Sequence, residues 1–206
     1  MVTVEAEREV VRRLCDKIAC MAEESSTSSS VLDRARKIKL LLMDIDGTLT
    51  DGGVCLLSLP NDGGVAEMKV FNSQDGVALK LAKTMGMKTG FITGRRSAAV
   101  SQRAKEMQVD YVYLGQATKT AAFEACVRDA GISNDEVAYM GDDLPDMPVA
   151  RLAGLAIAVA NATPELKAIS HYVTKSRGGS GTAREVVELI LKAQGRWEEA
   201  IPLALA

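Results

Sequence analysis

The chain has 206 residues, with 25 Lys plus Arg against 27 Asp plus Glu for a formal net charge of −2, and 47% of its residues are apolar. That balance excludes a strongly basic nucleic-acid surface, and the apolar share is enough to fill a core, which argues against disorder as the main state. No apolar run approaches the ~18 residues of a membrane helix, and Glu5, Glu7, Arg8 and Glu9 interrupt the N-terminus where a secretory signal would need an apolar stretch, so the expectation is a soluble, cytoplasmic protein with neither membrane nor nucleic acid as partner.

From Val4 to Glu24, apolar residues fall at Val10, Leu14, Ile18 and Met21, the spacing of one helical face. The polar run Ser25 to Ser30 follows and reads as a linker, which makes residues 1–30 an appendage and 31–206 the main domain. Short apolar runs then recur at Leu40 to Met43, Lys88 to Ile92, Tyr111 to Leu114, Val137 to Met140 and Leu155 to Val159. Helical patterns alternate with them at Asp75 to Met85, Arg95 to Met107, Thr118 to Ala130, Asp146 to Ala153 and Pro164 to Ile169. The alternation predicts an α/β fold around a parallel sheet. One segment breaks it: Val54 to Leu59 and Val65 to Phe71 are strand-like and joined by Pro60-Asn61-Asp62-Gly63-Gly64, which predicts a β-hairpin over 54–71. Inserted after the first strand, it is placed to cover a ligand at the carboxyl edge of the sheet. A short strand at Tyr172 to Thr174, a helix from Thr182 to Gln194 and an apolar tail over 197–206 complete the chain.

Cys15, Cys20, Cys55 and Cys126 are scattered, with no CxxC pair, and read as reduced structural thiols. His171 is the only histidine and has no nucleophile motif beside it, so it is assigned a packing role.

The chemistry concentrates after the strands. Asp44-Ile45-Asp46-Gly47-Thr48 follows the first apolar run, and two carboxylates two residues apart at a strand end suit a nucleophile with a proton-handling partner. Thr93-Gly94-Arg95, Lys119 and Gly141-Asp142-Asp143 follow the later strands. A hydroxyl, an ammonium and several carboxylates meeting at one edge would bind a phosphoryl group and Mg²⁺.

These residues resemble the haloacid dehalogenase-like phosphohydrolases, whose four motifs are matched by Asp44-x-Asp46, Thr93, Lys119 and Gly141-Asp142-Asp143. Within that superfamily, Asp46-Gly47-x-Leu49-Thr50-Asp51-Gly52, Phe71-Asn72-x-x-Asp75-Gly76 and Gly178-Gly179-x-Gly181-x-x-Arg184-Glu185 are similar to the capless, tetrameric octulosonate 8-phosphate phosphatases, over about Arg34 to Glu199. The resemblance implies a Rossmann-like sheet with helices on both faces and a hairpin flap in place of a cap domain. It also implies a Mg²⁺-dependent phosphomonoesterase of Kdo and lipopolysaccharide biosynthesis that assembles as a homotetramer, the flap and tail of one subunit closing the site of another.

By the same resemblance Asp44 is the nucleophile and Asp46 the acid/base. Thr93 and Lys119 meet the phosphoryl group, and the metal is held by Asp44, the main-chain carbonyl of Asp46 and Asp142, with Asp143 and Asp146 behind them. Asn72, Gly94, Arg95 and Arg177 are the candidates for contacting the sugar acid. The chain departs from the pattern at Val77-Ala78, where an aromatic and a glycine are usual, which leaves 9-phosphates of nonulosonic acids, or sugar phosphates in general, as alternative substrates. A receiver-like signalling domain shares the inventory but carries its acceptor alone after a middle strand.

Overall fold

Four consecutive apolar residues without polar alternation require cover on both faces of a sheet, and Leu40–Met43 forms a strand (β1) whose four side chains are all buried. The computed structural model describes residues 30–60 and 63–204. The expected helix over Val4 to Glu24, the linker up to residue 29, Asn61-Asp62 of the hairpin turn and Leu205-Ala206 of the tail lie outside the described residues.

After a helical segment over residues 30–35 (α1) and β1 come the hairpin strands β2 (Cys55–Ser58) and β3 (Val65–Met68), then α2 (Ser73–Thr84) and β4 (Lys88–Thr93). The chain continues through α3 (Ala98–Glu106), β5 (Tyr111–Leu114), α4 (Thr120–Ala130), β6 (Val137–Gly141) and α5 (Met147–Ala150). It ends with β7 (Leu155–Ala158), α6 (Pro164–Ile169), β8 (Tyr172–Val173), α7 (Thr182–Ala193) and α8 (Trp197–Leu203).

The main sheet has the order β5-β4-β1-β6-β7-β8, with every pair parallel. Because β4 and β6 flank β1, the direction of chain crossing reverses beside it, and a crevice opens there beyond the carboxyl ends of the strands. α2 packs against α7 and α8, while α5 packs against α4 and α6, so two helix layers cover the sheet. Truncating one of the fully buried leucines of β1 to alanine is a change that costs about 2 to 5 kcal/mol.

Several helices are shorter than their apolar pattern suggests, for local reasons. α3 starts at Ala98 rather than Arg95 because Ser97 caps it, its hydroxyl accepting the N–H of Val100 at 3.3 Å. The stretch from Asp146 to Ala153 contains only the short α5, preceded by a 3₁₀ turn over Leu144–Asp146. Pro145 and Pro148 sit in the first turn of each, where a missing N–H is harmless.

The hairpin stands apart as a two-stranded sheet in register Cys55↔Met68 through Ser58↔Val65. Exposed apolar side chains stand on both of its faces, Leu56 and Val65 on the one that carries Glu67, Met68 and Val70 on the other. The tail forms α8 against α7: Ala200 is buried, and the guanidinium of Arg184 lies 4.9 Å from the centre of the Trp197 ring. Cys126 is buried, its thiol pushed up to about 12 by that burial, and His171 accepts the N–H of Ala156 through Nδ1 at 2.9 Å.

Candidate active site

The ladder between β1 and β6 continues one residue past β1, the N–H of Asp44 donating to Met140 O at 3.0 Å, which fixes Asp44 at the carboxyl end of the central strand. The chain then tightens into a loop in which the N–H groups of Thr48, Leu49 and Thr50 all turn back on Ile45 O. Gly47 has φ +89°, and a Cβ there would lie 2.0 Å from Asp142 Oδ2, so only glycine lets Asp142 close on this loop. From late in the chain, Gly178 crosses the same loop, where a Cβ would fall 1.8 Å from Gly47 O. Thr182 Oγ1 adds a hydrogen bond to Thr48 O (2.9 Å), and Asn161 Nδ2 one to Gly47 O (3.0 Å). The glycine-rich run is therefore a strap across the loop that carries Asp44 and Asp46.

Beside the loop a cavity of about 320 Å³ is lined by Asp44, Asp46, Thr93, Gly94, Arg95, Lys119, Asp142, Asp143 and Asp146. A larger one of about 610 Å³ lies at the opposite edge, around Lys39, Met87 and Glu136. Size does not decide between them; the smaller one lies at the carboxyl ends of the strands and holds Asp44, Asp142 and Asp146, whose carboxylate oxygens converge.

Lys119 caps α4 with no side-chain hydrogen bond to the helix. Its ammonium instead reaches Asp44 Oδ1 and Asp146 Oδ1, both at 2.7 Å. Burial works against its charge, but Asp44 and Asp146 outweigh that and hold its pKa above the ordinary value. Asp146 is saturated: Oδ1 also accepts from Tyr139 Oη (2.6 Å), and Oδ2 accepts the N–H groups of Asp142 (2.9 Å) and Asp143 (3.2 Å). Asp143 is exposed and caps the 3₁₀ turn, its Oδ1 accepting the N–H of Leu144 at 2.7 Å.

Carboxylate oxygens of Asp44, Asp142 and Asp146 lie within 4.8 Å of one another. Burial pushes Asp44 up to about 6, with Lys119 pulling down and Asp146 up, and it pushes Asp142 up to about 7, helped by Asp44 and Asp146. Two buried acids thus share one buried ammonium, with the half-buried Asp142 beside them. Hard oxygen donors in excess of positive charge fit a Mg²⁺ ion, and with Asp146 already saturated, the donors free for it are Asp44 and Asp142.

Asp46 faces another set of partners. Lys69, just beyond β3, pairs with Asp46 Oδ1 and lies 3.3 Å from Glu67 Oε1, with only 2% of its side chain exposed. Arg95 bonds Glu67 Oε1 at 2.9 Å and stands 3.9 Å from Asp46 Oδ2. Glu67 and Lys69 were not among the candidates drawn from sequence. The signal was present as a charge at alternate positions of a strand otherwise exposing apolar residues, the pattern of an inward polar face.

Two sequence candidates are not at the cavity. Asn72 caps α2, its Oδ1 accepting the N–H of Gln74 at 2.8 Å while Nδ2 meets Gly179 O at 3.5 Å, and Arg177 is exposed on the approach to the strap. The departure at Val77-Ala78 lies along α2, with Val77 exposed and Ala78 buried, and neither lines the cavity.

A profile of the haloacid dehalogenase-like hydrolases matches residues 112–186. The chain is 40% identical to the 3-deoxy-D-manno-octulosonate 8-phosphate phosphatase KdsC of Escherichia coli over 173 residues, 84% of this chain and 89% of that protein. Among solved structures it resembles the 3-deoxy-D-manno-octulosonate 8-phosphate phosphatase of Moraxella catarrhalis in complex with magnesium ion, phosphate ion and KDO. There the TM-score is 0.78 at 40% identity, covering 84% of this chain and 97% of that one. A probable YrbI family phosphatase from Pseudomonas syringae pv. phaseolica is similar with a TM-score of 0.80 at 39% identity, covering 86% and 98%. With this fold, these motifs and this likeness over most of its length, the chain belongs to the haloacid dehalogenase-like phosphoric monoester hydrolases, in the family of the 3-deoxy-D-manno-octulosonate 8-phosphate phosphatases.

Proposed function

We propose that the chain hydrolyses 3-deoxy-D-manno-octulosonate 8-phosphate to the free sugar acid and phosphate through an aspartyl-phosphate on Asp44. The observation that carries this reading is the Asp44 carboxylate paired at 2.7 Å with a buried lysine, in a cavity that also holds Asp46, Thr93 and Asp142. Asp44 attacks phosphorus while Lys119 offsets charge on the carboxylate and on the phosphoryl oxygens, and the Thr93 hydroxyl donates to the group in transfer. Asp46 protonates the leaving sugar oxygen, then takes a proton from the water that opens the phospho-enzyme. Mg²⁺, held by Asp44, Asp142 and the main-chain carbonyl of Asp46, would supply charge neutralisation for the phosphate oxygens. Arg95 and Gly94 at the rim are the groups assigned to the sugar acid, a guanidinium being able to grip a carboxylate bidentately.

Steady-state kcat/KM across octulosonate 8-phosphate, nonulosonate 9-phosphates and hexose phosphates tests the substrate. A clear preference for the 8-phosphate is expected, and a flat profile refutes it. Chelation should stop turnover and added Mg²⁺ restore it; indifference to chelator overturns the metal assignment.

A homotetramer is the proposed assembly, supported by the apolar side chains that the hairpin leaves exposed, Val65 at 63% and Val70 at 69% among them. Light scattering that finds a monomer at working concentration removes it. The unpaired Cys55 and Cys126 favour a reducing compartment, the cytoplasm.

A further inference from the structure

None of the described residues that line the cavity belongs to the hairpin, yet the foot of the hairpin reaches one of them, Asp46. Along β3 and just beyond it, residues alternate between the two faces: Met68 and Val70 point to solvent, while the Glu67 and Lys69 side chains turn toward the loop carrying Asp46. A lysine with 2% of its side chain exposed is costly to bury unless its charge is met, and here it is met by two carboxylates, Asp46 Oδ1 and Glu67 Oε1. Arg95 closes the cluster from the start of the segment before α3, bonding Glu67 at 2.9 Å. Lys69 occupies one oxygen of Asp46. The other, Oδ2, is shielded from solvent and accepts no hydrogen bond from the described residues, although Asp46 lines the cavity. A carboxyl with one oxygen tied by an ammonium and the other without a hydrogen bond, Arg95 Nε standing 3.9 Å from it, has a defined direction in which to hand over its proton.

We propose that Lys69, braced by Glu67, is a positioning residue for Asp46, tying Oδ1 so that Oδ2 is presented to the leaving oxygen, and that the flap hairpin thereby sets the geometry of acid/base transfer. The inference rests on Asp46 being the acid/base. In the first half-reaction the bond from Asp44 oxygen to phosphorus forms as the bond from phosphorus to sugar oxygen breaks, and the proton on Asp46 Oδ2 passes to that sugar oxygen. In the second, a water oxygen bonds to phosphorus, its proton returns to Asp46, and the Asp44 carboxylate leaves. Lys69 is not consumed in either; it holds the group that is.

The test exploits leaving-group chemistry. A nitrophenolate departs without a proton, whereas a sugar alkoxide does not, so a defect in acid positioning grows with the pKa of the leaving alcohol. Lys69→Met and Glu67→Gln are assayed for kcat/KM on a series of aryl phosphates together with the sugar phosphate, with Asp46→Asn as the reference and thermal melting as a check on folding. Lys69→Met should lose about 30-fold on the sugar phosphate and about threefold on p-nitrophenyl phosphate, Glu67→Gln a smaller loss of the same pattern, and Lys69→Arg should recover part of it. An equal loss across the series, or none, in a folded Lys69→Met protein overturns the inference if Asp46→Asn shows the leaving-group dependence. If Asp46→Asn itself lacks that dependence, it is the acid/base assignment of Asp46 that fails.

Discussion

Each of the two aspartates flanking Ile45 is met by a buried lysine, and each lysine is braced by a second carboxylate, yet the two sets are built on different ground. Lys119 heads a helix packed on the main sheet, and its brace, Asp146, is held by a tyrosine hydroxyl and two backbone N–H groups. Lys69 stands at the foot of a two-stranded hairpin outside that sheet, and its brace, Glu67, is held by other side chains, Arg95 among them. On the roles proposed above, the nucleophile is thus anchored in the core, whereas the proton carrier depends on the hairpin. On that proposal the attacking oxygen is held fixed, and the group that serves first as acid and then as base is the one that the hairpin holds.

Substitutions on the two sides should separate these roles. The largest effect belongs to Asp44→Asn, which removes the attacking oxygen and keeps the volume: a loss in kcat of at least about 1000-fold in a protein that still folds is expected, and phosphate release near the parent rate would contradict the nucleophile. Lys119→Met should cost roughly 100- to 1000-fold on every substrate, because the charge it supplies faces the phosphoryl group whatever the leaving group. A loss confined to poor leaving groups would blur the distinction from Lys69.

Gly178→Ala acts on the strap rather than on chemistry. Its Cβ would fall 1.8 Å from Gly47 O, so the strap must shift, at a cost of about 1 to 3 kcal/mol or roughly 2 to 10 °C in Tm. An unchanged melting curve would mean that the crossing relaxes freely. The smallest effect is on pH. In the metal-free protein Asp44 and Asp142 hold protons up to about pH 6 and 7, above the usual carboxylate range. A folded-state pKa raised in this way contributes stability below the ordinary carboxylate pKa that is lost as pH rises through about 6 to 7. Melting temperature without metal should therefore fall between about pH 4 and 7, and Mg²⁺ should reduce that fall; a Tm that rises over this range and ignores Mg²⁺ would contradict the crowding of acids.

The parts legible in the sequence were those whose residue types have one structural use. Unbroken apolar runs such as Leu40 to Met43 have no place except a covered sheet, and carboxylates directly after them fall at its edge, so Asp44, Asp46, Thr93, Lys119 and Asp142 could be placed in order. Asp146 could be placed behind them, but not its bond to Tyr139, because a tyrosine within an apolar strand reads as packing. Lys69 and Glu67 escaped notice because alternation in a short exposed hairpin does not say which face meets the body. Asn72, a candidate for the sugar acid, caps α2, a use that the same side chain serves equally well.

During synthesis the strap arrives last. Thr48 is 94 positions from its partner Asp142 and 134 from Thr182, so at ~5 to 20 residues per second on the ribosome the loop bearing both aspartates waits several seconds or more for its final tether. A nascent chain that has completed the first three parallel strands carries both acids but cannot yet hold them in working order. Translation that halts before Gly178 would yield a fragment able to build much of the sheet and unable to turn over a phosphoester.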